Sequence, residues 1–226
     1  MSSYGRTVAA VLRKDLLLEW RSREAITSMG FFSLLVVVLF GFAFQAERID
    51  PGIQAPGLLW IAFSFSGVLG LHRSFAGERE GGCLQGLLLA PVDRSAIYLG
   101  KVLGNLILIG AVEAVTFPIF SILLRVPILP GLGSLALVAL MGTLGFAEVG
   151  TLLSAVSSGS RLREVLLPLI LYPVWVPVLI GSVELTGLAL TGRPLSEGGN
   201  WITLLAVYDL IFLGAGLLLF DQLLEE

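Results

Sequence analysis

Six stretches of this chain are rich in apolar residues and nearly free of charge, and they restrict its fold more than any other feature: 25–46, 57–75, 102–124, 132–156, 165–183 and 201–220. A helix that crosses a bilayer needs about 20 mainly apolar residues, because its backbone groups must be satisfied within the segment. The second stretch reaches that length only by continuing past Leu71 to Phe75. Charged residues make up 14% of the chain, against about 25% in soluble domains. The expectation is an all-α integral membrane protein with six crossings. Residues 1–226 form one transmembrane domain, with no room for a separate soluble one.

The basic residues orient it. Arg6, Arg13, Lys14, Arg21 and Arg23 precede the first span. Arg73, Arg79, Arg94 and Lys101 lie around the second loop, and Arg161 and Arg163 in the fourth. Only Arg48, Arg125 and Arg193 fall in the other loops. Cytoplasmic loops collect Lys and Arg, so both termini are expected in the cytoplasm. The scattered charges of residues 1–24, and the full-length span that follows without a small-residue cleavage site, do not read as a signal peptide. Residues 5–23 read as an amphipathic helix with Ala9, Leu12, Leu16 and Trp20 on one face. It suits either a plain interfacial anchor or an elbow that cradles a cytoplasmic partner. Glu19 and Arg23 have i,i+4 spacing.

The loop at 76–101 is long for a simple turn. Glu78, Arg79 and Glu80 precede Gly82 and an apolar run from Leu84 to Leu89, which Pro91 ends. Carboxylates near a helix start oppose its dipole, and proline cannot continue the helix. Asp93 or Ser95 can then cap a helix running into the third span. The pattern predicts a short helix across the cytoplasmic face. It serves either as a docking element or as an interfacial hairpin without a partner. Pro168, Pro173 and Pro177 predict a kinked fifth span, either a moving part or a static bent helix. Asp50-Pro51-Gly52 reads as a turn, and Trp60 and Trp201 as interfacial aromatics.

Three carboxylates fall inside spans: Glu113, Glu148 and Asp209. Each costs about 2.5–3.5 kcal/mol or more at a helix centre, and no Lys or Arg lies in a predicted span to neutralise them. They are neutral acids bonded between helices, or they line a polar route or relay. Gly100 and Gly104 have the spacing of close helix packing. The lone His72 and the lone Cys83 make no metal site, and no G-x-x-x-x-G-K-[ST] loop is present. ATP chemistry, if used, belongs to another chain, and neither an enzyme nor a nucleic-acid binder is indicated.

The six spans, the N-terminal helix and the E-x-E-x-G-x-L-x-x-L-x-L-x-P loop from Glu78 resemble type-2 ATP-binding-cassette exporter permeases. Three further stretches narrow the likeness: Pro56-Gly57-Leu-Leu-Trp60, the run from Leu71-His-Arg-Ser-Phe75 to Gly100-Lys101, and Leu166-Leu-Pro168 through Pro173 to Pro177. Together they resemble the CcmB family, the membrane permease component of the cytochrome c maturation haem exporter. Gln85 departs from the Glu expected in many relatives. The resemblance implies a bacterial inner-membrane permease whose partner ATPase, CcmA-like, docks on Glu78, Arg79, Glu80, Gly82, Leu84, Pro91 and Arg94. A secondary contact would involve Arg161, Arg163 and Glu164. It also implies CcmC- and CcmD-type membrane partners and a CcmE-like periplasmic haem chaperone. Haem would be substrate rather than resident cofactor. Two alternatives stay open: a general exporter of lipid, glycan or drug, and an ATPase-independent channel or proton-coupled carrier built on Glu113, Glu148 and Asp209.

Overall fold

The computed structural model of the chain describes residues 3–47, 51–74, 92–157 and 163–223. Among these residues the helices are α1 (Ser3–Ser22), α2 (Glu24–Glu47), α3 (Pro51–Arg73), α4 (Arg94–Leu124), α5 (Leu132–Ser157), α6 (Arg163–Leu190) and α7 (Gly199–Leu223). Short 3-10 turns at Leu129–Gly131 and Leu195–Gly198 lead into α5 and α7, and no strand occurs among the described residues. Helices α2 to α7 contain the six segments long and apolar enough to cross a membrane. The predicted crosswise helix at 84–89 lies outside the described residues.

Helix starts follow local chemistry. The Asp93 carboxyl accepts the Ser95 amide at 2.9 Å, with extended φ −65 and ψ 123 at the cap. This N-cap satisfies an otherwise orphan donor and starts α4 well before residue 102. Of the turn expected at Asp50-Pro51-Gly52, Asp50 lies outside the described residues, and Pro51 and Gly52 open α3, where the missing proline N–H costs nothing. Helix α6 runs through Pro168, Pro173 and Pro177 without interruption. Tyr208 Oη on α7 donates to the Val174 carbonyl at 3.2 Å. The carbonyl that Pro177 leaves without a helical donor is the neighbouring one, at Pro173.

Helix α5 sits centrally, packing against α3, α4, α6 and α7. Small residues bring these backbones together, as membrane packing favours. The Phe146 ring of α5 covers Gly67 of α3, while Trp60 and Leu71 of α3 cover Gly142 and Gly150 of α5. Trp60 is therefore a core residue and not an interfacial aromatic. It is 2% exposed, and its Nε1 donates to Thr186 Oγ1 at 2.9 Å. Its ring belongs to an aromatic chain through Phe146, Trp175, Trp60, Phe63 and Phe117. Trp201 is half-buried against the same core.

The chain turns from α1 to α2 at Arg23, whose φ of 55 is left-handed. The Arg23 amide still donates to the Glu19 carbonyl at 2.7 Å, but the left-handed turn sends the two side chains elsewhere. The Glu19 carboxyl instead accepts the Ile26 amide of α2 at 2.8 Å, and Arg23 lies over the Trp20 ring. The docking face of α1 also differs from the expected stripe. Val11 enters a cluster with Ile97, Tyr98 and Val102 of α4, Ala147, Leu152 and Ala155 of α5, and Phe220 of α7. Gly100 supplies the seat: a Cβ there would lie 2.8 Å from Val11 Cβ. That seat selects the Val8–Val11–Asp15 side, about 100° round from Ala9, Leu12 and Leu16. Trp20 is left 74% exposed.

Candidate functional site: a buried polar seam

Two sets stand out among the buried polar groups of this bundle. The first is where α1, the end of α3 and the start of α4 meet. Lys101 projects from an otherwise apolar stretch of α4 and is 2% exposed. Its ammonium donates to the Ser74 carbonyl at 2.5 Å and lies 3.2 Å from Asp15 Oδ2. Lys14 flanks the same carboxylate at 3.1 Å. One turn along α4, Asn105 Nδ2 donates to Ser74 Oγ at 3.2 Å and to Thr151 Oγ1 at 2.9 Å. Ser154 Oγ of α5 donates to the Leu71 carbonyl at 2.8 Å. The last turn of a helix leaves carbonyls without intrahelical partners and carries partial negative charge. At the end of α3, α4 and α5 supply the missing donors, and one of these is cationic.

The second set is the three acids. Glu113 of α4 is buried and accepts from Thr143 Oγ1 of α5 at 2.5 Å. Close by on α4, Thr116 Oγ1 meets Ser33 Oγ of α2 at 3.0 Å. Glu113 is therefore a bonded interhelical acid. Glu148 of α5 is completely buried, and neither of its carboxyl oxygens has a hydrogen-bond partner among the described residues. The same holds for Oδ1 of Asp209 on α7. Glu148 and Asp209 are close enough to interact electrostatically. Gly145 makes room for Asp209, since a Cβ there would lie 2.7 Å from Oδ1. Tyr98 Oη donates to the backbone carbonyl of Glu148 at 3.2 Å rather than to its carboxyl. Such a pair can hold a proton or accept bonds from a polar group entering the bundle. Contrary to the expectation of spans without Lys or Arg, Lys101 lies within α4. Its ammonium is engaged by Asp15 and Ser74, not by these acids.

Of the remaining predicted site residues, Glu78, Arg79, Glu80, Gly82, Leu84, Pro91 and Arg161 lie outside the described residues, as does Cys83. Arg163 and Glu164 open α6. Arg94 opens α4, and its Nη1 lies 3.1 Å from Asp221 Oδ1 near the end of α7. Gly100 and Gly104 do mark close packing, but their neighbour is α1 rather than another span. Sequence reasoning missed Asp15, Ser74, Lys101, Asn105 and Thr151 as a unit. The available signal was a lysine and an asparagine set beside the Gly100/Gly104 pair in an apolar helix. No group of three His, Cys, Asp or Glu able to hold a metal ion occurs among the described residues.

Six apolar helices closed round a polar seam define a multi-pass α-helical membrane protein. The CcmB protein model matches residues 6–214. The chain belongs to the CcmB family. It is 33% identical over 176 residues to Heme exporter protein B of Rhodobacter capsulatus, covering 78% of this chain and 80% of that one. With Heme exporter protein B of Paracoccus denitrificans it shares 33% over 175 residues, or 77% and 80% of the two chains. With that of Haemophilus influenzae it shares 28% over 205 residues, or 91% and 90%.

Proposed function

We propose that this chain is the membrane permease of an ATP-binding-cassette complex that handles haem for c-type cytochrome maturation. The observation that carries the reading is the family match across nearly the whole chain, together with relatives named as haem exporters. ATP hydrolysis would occur in a CcmA-like partner docked on Glu78, Arg79, Glu80, Gly82, Leu84, Pro91 and Arg94, with Arg161, Arg163 and Glu164 as a second contact. CcmC- and CcmD-type membrane proteins and a CcmE-like chaperone would complete the assembly. The chain would lie in the bacterial inner membrane with both termini in the cytoplasm, which the uneven spread of Lys and Arg supports. Haem enters as cargo.

The test is a deletion strain stained for covalently bound haem, with apocytochrome synthesis and export checked in parallel. Loss of all c-type cytochromes is expected. The intact chain should restore them, and a chain altered at Glu78, Glu80 and Gly82 should not. Normal cytochromes in the deletion strain would refute the reading.

A second reading, a proton-coupled carrier, draws on the Glu148 carboxyl and Asp209 Oδ1, which have no hydrogen-bond partner among the described residues. It predicts that Glu148→Gln abolishes transport while changes at 78–82 leave it intact.

A further inference from the structure

Helix α1 is fastened to α4 at three successive places. Tyr4 Oη meets Ser95 Oγ at 3.2 Å, Val8 and Val11 sit in the Gly100 seat, and Asp15 pairs with Lys101. The third place does more than the others, because the same ammonium holds the Ser74 carbonyl at the end of α3. Three chain segments far apart in sequence thus converge on one buried nitrogen. An ammonium has three donors, and an uncompensated charge at this depth is unfavourable; Asp15 supplies the counter-charge and the Ser74 carbonyl an acceptor.

We infer that Lys101 is a positioning residue: it clasps α1, the end of α3 and the first turns of α4 into one body, so that displacement of any of them carries the other two. The inference rests on the proposed permease role, because this is the end of the bundle that the ATPase would meet. An ammonium can reach both acceptors at once. A neutral side chain of equal length leaves the Ser74 carbonyl without this donor and Asp15 with Lys14 as its cation. Arginine keeps the charge but carries a larger planar head, so it restores the clasp only in part.

The experiment compares wild type, Lys101→Met and Lys101→Arg in the full complex by amide hydrogen exchange, membrane abundance and covalent haem staining. In Lys101→Met, exchange in α1 and the last turn of α3 should be about tenfold faster, while α5 keeps its protection. Covalent haem should fall with membrane abundance unchanged, and Lys101→Arg should recover part of both signals. Unchanged protection of α1 would overturn the clasp. Faster exchange throughout the bundle would reduce Lys101 to a general fold determinant and overturn it as well. Released α1 with normal haem attachment would overturn its role in transport. Normal haem attachment in cells lacking the chain would instead refute the permease reading and leave the exchange result standing.

Discussion

The Thr143–Glu113 bond gives a prediction whose sign depends on how many partners are removed. Both residues are buried, at 2% and 4% exposure, and the bond joins α4 to α5 at 2.5 Å. Thr143→Val keeps the volume and removes the donor, leaving Glu113 Oε1 stranded. Stranding a buried polar group costs about 1–3 kcal/mol. Interhelical hydrogen bonds in membranes average only ~0.6 kcal/mol, since the unfolded state in the bilayer also finds partners. The expected loss is therefore about 1–2 kcal/mol. Glu113→Leu removes the acid and leaves a threonine hydroxyl, which can bond back to its own helix; its cost should stay below about 1 kcal/mol. The double variant removes both polar groups at nearly constant volume and should lie close to wild type. Unfolding by SDS titration in mixed micelles, run as a double-mutant cycle, measures the coupling. A double variant destabilised by the sum of the single losses would refute the hydrogen-bond account. Covalent haem staining of Glu113→Leu then separates roles: retained output makes Glu113 structural, and lost output with intact stability makes it part of the transport route.

Three further outcomes follow from the packing. Trp60→Phe removes the Nε1 bond to Thr186 and part of a buried ring, and should cost about 1–3 kcal/mol in the same titration. Gly67→Val has no room beneath the Phe146 ring and should abolish accumulation of folded protein in membranes. Gly110→Val, where nothing lies within 4 Å of an added Cβ, should accumulate normally; equal accumulation of the two would contradict the described α3–α5 packing. Arg94→Ala breaks an ion pair whose partners are 25% and 66% exposed and a bond to the Asp221 carbonyl, and with solvent screening its cost should stay below about 2 kcal/mol; a larger loss would refute the screening argument.

Much of the fold was legible because its causes are local. About twenty apolar residues make a span wherever they occur, and a cap at Asp93 or Ser95 was readable from the polar residues that follow Pro91. The helical ends were less legible: α4 begins at Arg94 and α3 at Pro51, since charge and proline are tolerated in a first turn. Trp60 looked interfacial because hydropathy places a residue along a span but not around it. The rotation of α3 against Gly142, which seats the Trp60 ring in the core, is a property of two helices together.

The site divides in the same way. The sequence by itself determined that three acids lie within the membrane, that six helices cross it, and which family the chain belongs to, because composition and motif order are carried by consecutive residues. It could not separate Glu113, which has a threonine donor on α5, from Glu148, whose carboxyl has no donor among the described residues, and Asp209, whose Oδ1 has none there. Nor could it turn Lys101 from a loop charge into a buried clasp, for its partners Asp15 and Ser74 lie 86 and 27 positions away. Only tertiary structure decides such matters, because the worth of a buried charge depends on which groups face it, and those come from helices that the chain brings together after they form.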